Sequence, residues 1–104
     1  MNYSETLFRE LDRLADSPEG ERRLVRELAS RVTELARAPR MAQIKQRWRD
    51  VLALRKPDRP PVWCKPVGCW HELLPDSSLV CRNPVCRGLE THFKRRLIKN
   101  ERWI

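Results

Sequence analysis

Four cysteines carry the most specific chemistry open to this chain. Cys64 and Cys69 enclose four residues, Cys81 and Cys86 enclose four more, and eleven residues separate the two pairs. Zinc takes four thiolate or imidazole ligands in a tetrahedron, commonly from two short knuckles whose tight turns bring paired ligands together. Pro66 and Gly68 suit a turn inside the first pair, and Asn83-Pro84 suits one inside the second. Cys64, Cys69, Cys81 and Cys86 are therefore the candidate metal ligands, and zinc is the candidate ion. Their spacing is wider than the two-residue spacing of zinc ribbons, and no glycine follows the second cysteine of either pair. The competing reading is four small thiols of a residue type that packs readily into interiors.

The remaining chemistry-bearing residues are sparser. His71 and His92 are the only histidines, and neither stands with a nucleophile and a carboxylate in a spacing that identifies a triad. Glu72 and Glu90 form no paired-carboxylate motif, and no Gly-rich phosphate loop occurs. No residue is assigned as catalytic. Charge is more telling. Of the net +8, residues 1–38 carry seven arginines against eight carboxylates, net −1, and residues 39–104 carry fifteen Lys or Arg against six, net +9. A cationic surface attracts polyanions through counterion release, so nucleic acid or an acidic partner is the expected ligand of the second part. The plainer alternative is a solvated basic face.

The elements that must position these groups read as mainly α. Leu7, Leu11, Leu14 and Ala15 form one helical stripe and Leu24, Val25, Leu28, Val32, Leu35 and Ala36 a second, which predicts an antiparallel hairpin over 1–38. Ser17 is a cap, Pro18 suits a first helical position, and Glu19 and Glu21 complement the positive end of the dipole. A third helix is expected over 40–54, with Met41, Ile44, Trp48, Val51 and Leu52 inward and Lys45, Arg47, Arg49, Arg55 and Lys56 outward. The Pro-rich stretch that follows is loop with a short strand over 62–67. A last helix is expected over 87–99, its stripe Leu89, Phe93 and Leu97, its polar side Lys94, Arg95, Arg96 and Lys99. The chain thus divides into a hairpin, 1–38, and a helix-strand-loop-helix segment, 39–104.

Two runs in that second segment carry a resemblance. The helix end and proline bend, Arg47-Trp-Arg-Asp-Val-Leu-Ala-Leu-Arg-Lys-Pro-Asp-Arg-Pro-Pro-Val-Trp, leads into Cys64-Lys-Pro-Val-Gly-Cys-Trp-His-Glu-Leu-Leu-Pro. From about Met41 to Lys99 the chain resembles the opening of the uroporphyrinogen decarboxylase-like family, which includes decarboxylases and corrinoid-linked methyltransferases built on a (β/α)₈ barrel. The resemblance implies that 62–67 and 87–99 are the first strand and helix of such a barrel. Since a barrel needs about 200 residues or more, a chain of 104 residues cannot close one. It is expected to be a truncated N-terminal portion, without catalysis of its own. Only the loop Lys65 to His71 lies where a barrel enzyme places its site. Porphyrin decarboxylases of the family hold substrate carboxylates with an arginine-rich segment there, and this sequence does not have one. The parent activity implied is therefore corrinoid-linked methyl transfer, with a corrinoid protein as partner and no cofactor held by this chain.

The amino terminus mixes charges from the outset, unlike a signal peptide, and no run approaches the roughly 20 apolar residues that span a bilayer. A cytoplasmic chain with no membrane segment is expected, in which thiols stay unpaired or bind metal. Two rivals to the family reading follow from the residues alone. One is a small zinc-stabilised basic module that binds nucleic acid, and the other is a helical interaction domain without metal.

Overall fold

The computed structural model describes residues 2–103, and every regular element among them is helical. The helices are α1 (Tyr3–Leu11), α2 (Pro18–Ala36), α3 (Pro39–Leu52), α4 (Trp70–Leu73) and α5 (Pro84–Trp103), with 3₁₀ turns at Asp12–Leu14 and Asp76–Ser78. Their starts follow from local chemistry. The Asn2 side chain accepts from the Glu5 N–H at 2.9 Å and opens α1. Ser17 Oγ accepts from the Gly20 N–H at 3.0 Å, with Pro18 in the first turn of α2. Asn83 Oδ1 accepts from the N–H groups of Val85 and Cys86 at 2.9 and 3.2 Å, so Asn83-Pro84 starts α5. That helix begins earlier and ends later than its apolar stripe predicts.

The core lies where α5 runs along α2 and touches α1. Leu7, Leu24, Leu28, Cys81 and Leu97 are buried at its centre, with Phe8, Leu14, Val25, Val80 and Phe93 packed around them. Helices from both ends of the sequence therefore share one interior. α3 contributes no buried residue, and the molecule is drawn out to 51 × 27 × 27 Å.

Gly20 marks the tightest approach. An added Cβ there would overlap the Leu14 carbonyl oxygen and stand 2.7 Å from Asp16 Oδ1. Alanine normally gains about 1 kcal/mol over glycine within a helix. Here the overlap with a backbone oxygen outweighs that gain, and Gly20→Ala is expected to destabilise the fold by about 1–3 kcal/mol, the cost typical of overpacking. Thermal unfolding followed by circular dichroism checks this; an unchanged or higher Tm would contradict it.

The strand expected over 62–67 does not form. Among the described residues there is no strand, so the helix-strand-loop-helix arrangement, and with it the incomplete first β/α unit of a barrel, gives way to an all-helical chain. The mainly α character stands. Pro57, Pro60, Pro61 and Pro66 remove four backbone donors from this stretch, and an extended segment without a neighbouring strand has no ladder to join. What orders the segment instead is Asp58, which accepts from Arg47 Nε and Nη2 at 2.7 and 3.0 Å and from the Arg59 N–H at 2.9 Å. The Arg47 hydrogen bond, more than any other contact, holds the Asp58 carboxyl down at about 2.

The last helix turns Phe93 and Leu97 of its expected stripe inward but not Leu89, and it buries two charged residues beside them. Leu89 is 39% exposed, whereas Glu90, Lys94, Leu97 and Ile98 are buried.

Candidate functional site

Glu90 and Lys94 lie one turn apart on α5 and are 0% and 1% exposed. Lys94 Nζ donates to Glu90 Oε2 at 2.7 Å and to Asp12 Oδ1 at 2.8 Å, and it sits 5.0 Å from the centre of the Phe8 ring. Glu90 also accepts the backbone N–H groups of Val80 and Cys81, both at 3.1 Å. Glu21 on α2 accepts the next two, those of Arg82 and of Asn83, the latter at 3.1 Å. Arg87 Nη2 donates to the Asp76 carbonyl at 2.8 Å and Nη1 to that of Cys81 at 3.0 Å. The loop 76–83 is thus clasped to α2 and α5 largely by side chains.

Burial pushes the Glu90 carboxyl up, but the Lys94 hydrogen bond and the two backbone donors outweigh it and leave the group below its ordinary range. For Asp12 burial outweighs Lys94, and the carboxyl is raised. Among the described residues no buried side-chain nitrogen or oxygen lacks a hydrogen-bond partner. A fully satisfied cluster with no open coordination or substrate position is a structural clasp. The i, i+4 spacing of Glu90 and Lys94 was its one trace in the sequence.

The four cysteines are divided. Cys81 is buried in the core with Cys86 partly buried beside it, whereas Cys64 and Cys69 lie half-buried on the connecting segment. Among the described residues no three or more His, Cys, Asp or Glu side chains form a group that could hold a metal ion. Burial, followed by the charge of Glu90, pushes the Cys81 thiol up to about 12, so it stays protonated at neutral pH. Iodoacetamide at about pH 8 is expected to label Cys64 and Cys69 in the folded protein and Cys81 only after denaturation. Peptide mass spectrometry reads this, and native labelling of Cys81 at the rate of Cys64 would contradict the burial.

The most site-like feature is an open cleft of about 450 Å³ between the connecting segment and α5. Lys65, Pro66 and Trp70 form one wall, and Gly88, Thr91, His92, Arg95, Arg96 and Lys99 of α5 form the other. Residues 88, 91, 92, 95 and 99 recur at helical spacing and so share a face of α5. The Arg95 guanidinium stands 5.0 Å from the Trp70 ring centre, and Lys65 Nζ stands 5.9 Å from that of Trp63. Among the described residues no carboxylate lines the cleft. His92 meets Phe93 edge to face at 5.5 Å. His71 and Glu72 point to solvent and face each other at 3.7 Å.

Arg95, Arg96 and Lys99 are therefore on the polar side expected of the last helix, while Lys94 is the exception. Lys65 and Trp70 come from the loop Lys65 to His71 that the family resemblance singled out. Trp70 as the aromatic wall was not anticipated, because no periodicity marks a residue in so short a helix.

Comparison with known families, with characterised proteins and with solved structures found no match. Among the described residues no helix is long and apolar enough to cross a membrane.

Proposed function

We propose that this chain is the helical portion that precedes the catalytic body of a uroporphyrinogen decarboxylase-like protein. The parent activity in this reading is corrinoid-linked methyl transfer in the cytoplasm, and the chain serves it by docking rather than by catalysis of its own. The residue runs 47–63 and 64–75 support the family. The observation that carries the docking role is the apolar surface left on those same runs. Trp48, Val51 and Leu52 of α3 are 38%, 39% and 81% exposed, and Val62, Trp63 and Val67 are 77%, 73% and 72% exposed. The Arg47–Asp58 pair ties the connecting segment back to α3. So many large apolar side chains on one part of a small chain indicate a surface that a further layer covers.

The test is complementation. The catalytic body of a uroporphyrinogen decarboxylase-like methyltransferase, lacking its own counterpart of residues 41–99, is mixed with this chain and a methylated corrinoid protein. Methyl transfer is expected only when the chain is present. Trp48→Ala with Trp63→Ala is expected to weaken association by about tenfold or more, as loss of buried aromatic anchors does. Failure of the two to associate, or turnover by this chain alone, would defeat the reading.

A further inference from the structure

We infer that the cleft between Lys65–Trp70 and α5 is a binding site for phosphorylated nucleosides, either free or as units of a single strand. The inference does not need the family reading, since it rests on the charges and the aromatic wall of the cleft itself. Lys65, Arg95, Arg96 and Lys99 bring four cations to one cleft that, among the described residues, no carboxylate lines. Among the described residues none of the four makes an ion pair, whereas Arg47, Arg55 and Lys94 are each held by an acid. Cations brought together without acids repel one another, and an anion relieves that cost.

The second element is the indole of Trp70, half-buried in the cleft wall and already carrying the Arg95 guanidinium at 5.0 Å. A planar cation stacked on an aromatic face is the arrangement with which proteins receive a base and its phosphate together. The ring accepts the base by stacking, and the guanidinium forks to phosphate oxygens. A cleft of about 450 Å³ lies within the range of small-molecule sites. Arg96 and Lys99, one turn apart along α5, set a second phosphate position beside the first. Simple anions would engage the cations but gain nothing from Trp70, and that difference selects the nucleoside class.

The full chain is titrated with a labelled oligouridine of about 12 nucleotides, a length within the site sizes of single-strand binders, and with uridine monophosphate and inorganic polyphosphate as competitors. Binding is expected to quench Trp70 emission, and log K is expected to fall with log salt at a slope of about −2 to −3, as three or four phosphate contacts on a single strand require. Uridine monophosphate should compete. If it matches the strand in affinity the source is the free nucleotide, and if the strand is tighter the source is single-stranded nucleic acid. Arg96→Gln with Lys99→Gln should weaken binding by about tenfold or more, whereas Lys45→Gln with Arg49→Gln on α3 should change it by less than about twofold. Equal losses in the two pairs would show diffuse attraction to a basic protein and overturn the inference, as would polyphosphate competing as well as the strand. Should the α5 pair fail to fold, the indole N–H resonance of Trp70 in the unaltered chain decides, since it must move on adding nucleotide and stay still on adding phosphate.

Discussion

Lys94→Met is expected to lose about 3–5 kcal/mol of stability, the cost of removing one partner from a buried ion pair. Lys94 is 1% exposed, and its ammonium donates to both Glu90 and Asp12, at 2.7 and 2.8 Å. Methionine fills the volume but leaves the buried Glu90 carboxylate without its cation, beside the partly buried Asp12. Replacing the whole cluster, with Glu90→Gln and Asp12→Asn added, should recover much of the loss because no buried charge then remains unpaired. Urea unfolding separates these outcomes, and a single variant within about 1 kcal/mol of the unaltered protein would show that the pair is solvated.

The same cluster fixes a pH dependence. Glu90 sits below its ordinary range when folded, so the stability it contributes is present above the range of an unfolded glutamate and is lost as pH falls through the folded value. Asp12 is raised, so it acts in the opposite sense and offsets part of that loss on acidification. In Lys94→Met the largest cause of the Glu90 depression is gone, and only the two backbone donors still oppose burial, so the carboxyl rises. The gap between variant and unaltered protein should therefore narrow as pH falls through the carboxylate range. Denaturation midpoints measured across that range read the effect, and a gap that widens would contradict it.

Leu28→Ala is the second large effect, expected at about 2–5 kcal/mol. Leu28 is fully buried in the middle of α2, where α5 packs on it, so truncation removes apolar contact and leaves a space that two rigid helices cannot close. Leu52→Ala provides the contrast. Leu52 is 81% exposed at the end of α3, and its truncation should change stability by no more than about 0.5 kcal/mol. If the two variants melted alike, the core would not lie between α2 and α5.

These positions show how far the sequence could be read. Ser17-Pro18 marked the start of α2 because a hydroxyl beside a proline leaves few alternatives, and the stripe Leu24, Leu28 became the core it indicated. Asn83-Pro84 was read as a turn between cysteines, but the same dipeptide caps a helix, since an Asn side chain satisfies free amides in either setting. Val62 and Trp63 have strand-forming side chains, yet strand formation depends on a neighbour as well as on propensity, and prolines on both sides deny the hydrogen bonds. Lys94, expected on the polar side, misled for the opposite reason, and Glu90 is buried with it. Charged residues on a helix ordinarily mark its wet face, and only the distant Asp12, together with the backbone of Val80 and Cys81, makes their burial affordable. Arg95, Arg96 and Lys99 were legible as a basic face, while Trp70 opposite them became part of a site only through the path of the loop.

The proposed docking role requires that a catalytic body cover the apolar surface of α3 and the connecting segment. Backbone amide exchange over residues 47–67, measured with and without the catalytic body of a uroporphyrinogen decarboxylase-like methyltransferase, tests this most directly. Protection that rises there while the α2–α5 core is unchanged is the predicted result, and identical exchange in the two samples would contradict it.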